Sequence, residues 1–374
     1  MALNSLKKYP EAIVDFTKVI ELNPRHAVAF CNRGDAFFET KNYSEAINDY
    51  CKAIELNPKG LEGVNKHGIK LRDLKKNSET IADYSKLIEF KPSHPAHTHS
   101  FNNRGLAFFE LEKYSESIID FTKAIELHPK NSWAFNNRGA ALAKLEKHAE
   151  AIVDYSKAIE LNSNEHMFFS NRGNALAELK KYPEAIIDFT KATELNPENY
   201  MAFHNRGAAL FALQKYPEAI VDYSKAIELN PNDFLAFYNR GYALVKLKKY
   251  PEAIIDFTKV IELNPENYWV FKTLNYRGYA LVELKKYPEA IVDYSKAIEL
   301  NPLDTLSFKG RGFAFYMSEK YSEAIADFTR VVELDPNQPD GYYFRGQIFH
   351  HLMMEDLANE DFGKAKILRE NKNK

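Results

Sequence analysis

An all-α solenoid of antiparallel helix pairs is the fold class this sequence predicts, on three observations. First, a phrase typified by KYPEAIVDYSKAIELNPNDFLAFYNRG at 215–241 returns with small changes every 34 residues. Its central small residue marks the register as Ala12, Ala46, Thr80, Ser117, Ala151, Ala185, Ala219, Ala253, Ala290, Ala324 and Ala358. The step is 34 throughout except for two steps of 37, from Thr80 to Ser117 and from Ala253 to Ala290. Second, each unit carries two apolar stripes at helical spacing, separated by a break. Third, small residues recur where two such helices would cross. A fixed period of this length means stacked supersecondary units, each burying its apolar face against its neighbours, so one globular core is not expected.

The unit 234–267 shows the elements in order. Ala236, Phe237, Arg240, Gly241, Leu244 and Leu247 recur at three- and four-residue steps, one face of a first helix. Lys248-Lys249-Tyr250-Pro251-Glu252 then breaks the pattern, and Pro251 suits a first helical turn because its missing N–H needs no partner there. Ala253, Ile254, Phe257, Val260, Ile261 and Leu263 give the second face, which Asn264-Pro265 ends. Each unit is therefore two helices of about 14 residues. Gly241 lies twelve positions before Ala253, where a bulkier pair would push the axes beyond the usual ~8–10 Å. Glycine at the same place in the other units carries a helix penalty of up to ~1 kcal/mol, so its recurrence implies a packing reason.

The register divides residues 1–374 into a truncated first repeat at 1–26 and full repeats at 27–60, 61–94, 98–131, 132–165, 166–199, 200–233, 234–267, 271–304, 305–338 and 339–372. Short insertions fall near 95–97 and 268–270 and are expected to bend the array. The last unit reads as two helices followed by a polar tail, ILRENKNK. Met1 falls inside what should be a first helix, so the array is expected either to continue in a longer protein or to be covered by another chain at that end.

The recurring aromatic (Phe237), glycine (Gly241) and leucine (Leu244), then Ala253, Phe257, Val260 and Pro265, resemble the tetratricopeptide repeat signature over essentially the whole chain. Departures are local: Thr80 and Ser117 replace the alanine, Ser163 and Glu370 the terminal proline, and arginine stands where leucine is common. The resemblance implies a right-handed superhelix whose inner face is lined by the first helices.

Composition excludes several classes. Fifty Lys plus Arg against 52 Asp plus Glu, a net charge of −2, give no basic excess for nucleic acid. Two cysteines are too few for a disulfide framework, and no apolar run approaches the ~18 residues of a membrane span. The start already matches the repeat and leaves no room for a signal peptide. A soluble, cytoplasmic chain with no cofactor is expected. A Gly-rich phosphate loop and a nucleophile elbow are both missing from the sequence, so a non-catalytic scaffold is favoured over an enzyme.

Three features could carry recognition. An asparagine stands two residues before the repeat glycine at Asn32, Asn103, Asn137, Asn171, Asn205 and Asn239, and Asn102, Asn136 and Asn275 stand one residue earlier. By the resemblance, the first of these positions faces the concave groove, and the series is similar to the asparagine ladder in the repeat region of O-linked N-acetylglucosamine transferase. A carboxamide can both donate to and accept from the backbone of an extended peptide. Rungs roughly 10 Å apart match about three residues of a strand, enough to hold about 12–15 residues over five units. The same amides could instead bridge neighbouring helices or bind water. Aromatics follow in the C-terminal half: Tyr238, Tyr242, Tyr276, Tyr279 and Phe313, then Tyr316, Tyr343 and Phe344. Tyrosine is a typical interface anchor, although packing between first helices competes for these rings.

The other two features read as structural. Arg33, Arg104, Arg138, Arg172, Arg206, Arg240, Arg277, Arg311 and Arg345 precede the glycine, and each unit supplies an Asp in its second helix; an internal ion-pair ladder is expected. His94, His97 and His99 have metal-compatible spacing but lack a supporting Cys or carboxylate cluster, and read as a solvated loop. The resemblance also raises carboxylate clamping of an Hsp70/Hsp90 C-terminal tail. That is disfavoured, because the flanking cations are missing: Lys66, Tyr276, Gly310 or Phe344 stand where the final Arg should be. The favoured function is a scaffold holding an extended segment of a protein partner. An architectural subunit with end-to-end self-association, or the targeting region of an enzyme whose catalytic domain lies elsewhere, remain alternatives.

Overall fold

The computed structural model describes residues 8–56, 77–90, 98–264 and 269–372. The first helix of the unit beginning at 61, the sequence around His94 and His97, and the tip of the second insertion lie outside the described residues. Among those described there are twenty helices and no strand. In chain order they are α1 (Tyr9–Leu22), α2 (Ala27–Glu39), α3 (Tyr43–Leu56), α4 (Asn77–Phe90), α5 (Thr98–Glu110), α6 (Tyr114–Leu127), α7 (Ser132–Lys144), α8 (His148–Leu161), α9 (His166–Glu178) and α10 (Tyr182–Leu195). Then follow α11 (Tyr200–Ala212), α12 (Tyr216–Leu229), α13 (Phe234–Lys246), α14 (Tyr250–Leu263), α15 (Trp269–Glu283), α16 (Tyr287–Leu300), α17 (Thr305–Met317), α18 (Tyr321–Leu334), α19 (Pro339–His351) and α20 (Glu355–Lys372). The helices form two units, residues 1–195 and 196–374. Within each, a first helix packs on the second helix of its own repeat, and that second helix packs on the first helix of the next.

Local chemistry sets the helix ends. Several first helices begin at side-chain caps: Asn131 accepts from the Ala134 N–H, Asn199 from Ala202, and Asp233 from Leu235 and Ala236, whereas α19 has no such cap and starts at Pro339. Second helices lack such a cap and use proline in the first turn of α1, α12, α14 and α16. Each intervening turn closes with two bonds, as where the Lys248 N–H donates to Val245 O and the Lys249 N–H to Leu244 O. That is a Schellman closure, whose pivot residue is left-handed.

Here the pivot is not glycine. Lys41, Glu112, Glu146, Lys180, Gln214, Lys248, Lys285, Glu319 and Met353 take φ between 58° and 64°. A side chain there costs roughly 1–2 kcal/mol, partly offset by the extra freedom glycine has when unfolded. Replacing Lys248 and Lys285 by glycine is expected to stabilise the chain by up to ~1 kcal/mol per site, read as a rise in the urea midpoint.

The small residues act as spacing demands. A Cβ on Gly173 would lie 2.8 Å from Phe189 Cε1, and one on Gly241 2.8 Å from Phe257 Cε1. The central alanines are fully buried, and Thr80 and Ser117 sit in the same buried position. Ser117 leaves its Oγ without a hydrogen-bond partner. The C-terminal segment differs from expectation: ILRENKNK is no tail up to residue 372, because α20 continues through it for 18 residues in all. That extension carries Arg369 back over the Tyr343 ring, 4.6 Å from its centroid.

Candidate functional site: an aromatic cleft in the second unit

The arginine ladder is internal. Arg240 donates from Nε and Nη2 to the two Asp256 oxygens at 2.8 and 2.7 Å, and from Nη1 to Ser224 Oγ at 3.0 Å. The same three-helix node recurs at Arg33 with Asp49 and Thr17, Arg138 with Asp154 and Thr122, Arg311 with Asp327 and Ser295, and Arg345 with Asp361 and Thr329. The hydroxyl comes from the preceding repeat's second helix, so each guanidinium ties two repeats together. Burial pushes the Asp120 and Asp256 carboxyls up, against the pull of Arg104 and Arg240. The hydrogen bond to the aspartate raises Arg33, Arg138 and Arg345. With its charges matched internally, this row offers little to an anion.

The asparagines also have internal partners. Asn137 donates to Asn102 Oδ1 at 3.1 Å, Asn171 to Asn136 Oδ1 at 2.9 Å, and Asn103 to the Tyr84 hydroxyl at 3.0 Å. In the second unit Asn239 Nδ2 meets His204 Nε2 at 3.2 Å, and Asn275 lies between Asp304 and Ser307. Asn103 and Asn136 are buried, so they sit between helices and not on an open face. Asn32, Asn102, Asn137, Asn171, Asn205 and Asn239 are half-buried. The amides thus stitch successive first helices through pairs such as Asn137 with Asn102, 35 residues apart.

The open feature lies in the second unit, where the ladder position ceases to be asparagine. That position faces the aromatic of the preceding second helix. Tyr276 stacks on Phe257 at 6.1 Å and Phe344 on Phe328 at 5.4 Å. Between them stands Gly310, where any Cβ would overlap the Tyr294 ring. Gly310 and the Tyr294 ring packed against it both line a cleft of about 1070 Å³. Of the residues singled out from sequence, Tyr238, Tyr242, Asn275, Tyr276, Tyr279, Phe313, Tyr343 and Phe344 line this one cleft, and Tyr316 does not. Asn32, Asn102, Asn103, Asn136, Asn137 and Asn171 lie in the other unit, and Asn205 and Asn239 are not part of the lining.

The rings form a connected wall. Tyr242 and Tyr276 have centroids 4.8 Å apart, Tyr238 meets Trp269 at 5.1 Å, and Tyr250 meets Tyr279 at 6.1 Å. Tyr238 is buried, so it supports the wall, whereas Tyr279 is 42% exposed at its surface. Cations border the rings. Lys246 lies 5.0 Å from the Tyr242 centroid, Lys272 5.0 Å from Trp269, and Arg369 over Tyr343. Lys309 is paired with Asp340 at 3.0 Å. Arg369 was missed because its segment read as a tail. Lys272 follows the second insertion, whose irregularity and aromatic residues mark this stretch in the sequence.

Burial, then the neighbouring Tyr242, pushes the Tyr276 phenol up to about 12; burial and the Tyr279 hydrogen bond do the same for Tyr250, also to about 12. Burial drives Tyr238 and Tyr294 up as well. A raised phenol favours the protonated native state, so this stability is fully present below the free tyrosine value of ~10 and is lost as pH rises through 10 to 12. Absorbance titration of the folded chain should therefore show a late tyrosinate class, merging into one transition near ~10 in denaturant. A single folded-state transition near ~10 would contradict the wall.

Consecutive antiparallel helix pairs stacked through shared helices define the class as an α-solenoid repeat protein. Tetratricopeptide repeat profiles match residues 27–59, 100–131, 132–165, 167–199, 234–267 and 271–303, and a related TPR repeat profile matches 207–248 and 312–352. The chain belongs to the tetratricopeptide repeat family, a protein-interaction fold whose members are generally non-catalytic scaffolds. Among solved structures it is similar to the C-terminal part of a TPR repeat-containing protein from Cytophaga hutchinsonii, at 21% identity and TM-score 0.54, covering 66% of this chain and 98% of that one. PilF of Pseudomonas aeruginosa matches at 20% identity and TM-score 0.50, over 56% and 94% of the two chains. A tetratricopeptide repeat protein from Parabacteroides merdae matches at 22% and 0.48, over 63% and 93%. These likenesses concern the fold alone. No curated protein matches the chain. Among the described residues no helix is long and apolar enough to cross a membrane.

Proposed function

We propose that the chain is a non-catalytic scaffold that holds an extended segment of a partner protein, anchored in the aromatic cleft of the second unit. The observation that carries this reading is the convergence of Tyr242, Tyr276, Tyr279 and Phe313 on one open cleft of about 1070 Å³. Phenol rings give large contact area with a polar edge at low entropic cost, and such anchors dominate binding energy at interfaces. Lys272 and Arg369, set against rings at the border, favour a segment with an apolar or aromatic anchor flanked by acidic residues. In the first unit, Asn137 and Asn171 each use one of two N–H groups in bridging. The other suits a peptide carbonyl, a contact worth only ~0.5–1.5 kcal/mol, so the asparagines assist and the cleft selects.

Selection of a displayed random-peptide library on the full chain tests this. Recovered segments should share an apolar anchor with flanking Asp or Glu, lose binding to a Tyr242→Ala/Phe313→Ala variant, and weaken only a few-fold on Asn137→Ala/Asn171→Ala. Segments that bind the cleft variant as well as the original chain would remove the cleft from the account.

A further inference from the structure

The second helices carry a feature that the packing does not use. Ile119, Val153 and Ile187 on α6, α8 and α10 are 67–69% exposed, and Val221, Ile255 and Val292 on α12, α14 and α16 are 57–69% exposed. Each stands two residues after the buried central small residue, Ser117 for Ile119 and alanine for the rest. Single exposed aliphatics need no explanation. The same position left open on three consecutive repeats in each unit does.

The charges around this position have a definite order. Relative to each aliphatic there is Lys six residues before, Glu three before, Lys four after and Glu seven after: for Ile255 these are Lys249, Glu252, Lys259 and Glu262. Val221 and Val292 repeat the order with Lys215, Glu218, Lys225 and Glu228, and with Lys286, Glu289, Lys296 and Glu299. At helical spacing the Glu three before, the Lys four after and the Glu seven after share the aliphatic's face, while the Lys six before stands just ahead of the helix as its N-cap. Laid parallel on a copy of itself, that face sets like charge on like. Laid antiparallel about the aliphatic, the first-turn Glu and the mid-helix Lys meet their opposites: Glu252 faces Lys259 of the second copy, and Lys259 faces its Glu252. The offset is one residue, about 1.5 Å of helix rise, within the reach of Lys and Glu.

We infer that the second-helix face is an isologous self-association surface whose occupant is a second copy of this chain, packed antiparallel about the aliphatic row. A two-fold axis running along the row through Val221, Ile255 and Val292 lays each second helix antiparallel on its own copy, so the repeat period itself keeps the rows in step. An unrelated partner would have to reproduce both the period and the charge order, which a second copy has by construction. Three helices about 20 Å long and 10 Å wide offer roughly 600 Å² per unit, near the ~800 Å² per partner of a standard interface. The in-helix pairs Lys225 with Glu228 at 2.7 Å and Lys259 with Glu262 at 3.2 Å are solvent-exposed. Such pairs contribute little and can exchange partners.

Sedimentation velocity of the full chain over a concentration series tests the inference. The expected result is a monomer–dimer equilibrium that weakens roughly tenfold or more when Ile119, Val153, Ile187, Val221, Ile255 and Val292 are all replaced by glutamine. Glutamine favours the helix at these exposed positions, and an unchanged circular dichroism spectrum shows that the variant is folded. Zero-length carbodiimide coupling of an isotopically mixed sample should give intermolecular links between first-turn Glu and mid-helix Lys, as Glu252 to Lys259. A monomer at every concentration, or association undiminished in the glutamine variant, overturns the proposal. Neither outcome bears on the cleft, which these substitutions do not touch.

Discussion

Arg240→Ala is expected to destabilise the second unit by about 3–5 kcal/mol, the cost of stripping one partner from a buried ion pair. Asp256 is 2% exposed and receives two guanidinium bonds. Removing the guanidinium leaves its charge unmatched, frees Ser224 Oγ of its Nη1 contact, and uncovers the Phe237 ring, over which the guanidinium lies at 5.6 Å. Burial already raises Asp256 and the arginine opposes it. In the variant the opposition is gone, so the folded-state pKa climbs further. A carboxyl raised above its unfolded value of ~3.9 favours folding below that value and loses the advantage as pH rises through the folded pKa. The stability deficit should therefore shrink as pH falls towards 4. Arg240→Ala/Asp256→Asn should recover much of it, and Arg240→Lys little, since an ammonium cannot bridge both carboxylate oxygens and the hydroxyl. Denaturant unfolding followed by circular dichroism measures all three. Because repeats unfold through neighbour interfaces, the loss is expected first at α12 to α14.

The second large effect concerns binding. Tyr279→Ala should weaken capture of a cleft-binding segment by ~2 kcal/mol or more, roughly thirtyfold in Kd. Tyr279 has the open position: it is 42% exposed and meets Tyr250 edge-on, ring centroids 6.1 Å apart. Its loss removes contact area without emptying a core, so helicity should not change. Tyr279→Phe should retain most of the affinity if the ring supplies the energy, and Lys272→Glu should slow association of an acidic segment and reduce its salt dependence. Equal binding by Tyr279→Ala and the original chain in a calorimetric titration would contradict the cleft as anchor.

What the sequence discloses and what it conceals divide along physical lines. The helix pairs were legible because a 34-residue period with two apolar stripes has one stacking solution. The Arg–Asp pairing was legible because every full repeat but the one at 61–94, where His67 stands before the glycine, supplies both charges. The third partner was not: that Thr122 accepts from Arg138 depends on how the preceding second helix is turned. Lysine does not announce a left-handed backbone, so the pivot at Lys248 was hidden. The asparagines were visible as a repeated polar row, yet their use of one another, as between Asn171 and Asn136, emerges only from a 35-residue offset in space. The aromatic residues of the cleft were visible one by one. Their convergence required Tyr276, Gly310 and Phe344 to replace asparagine in successive repeats, and α20 to run far enough to bring in Arg369.

The central claim is that a partner segment lies in the cleft of the second unit. Its most direct test is site-specific photo-crosslinking of the full chain with a selected segment, placing the photoreactive residue at Tyr279 and, as a control, at the exposed Lys130. The account predicts covalent attachment of the segment at 279 and none at 130. Attachment at 130, or binding that persists with no attachment at 279, would contradict it.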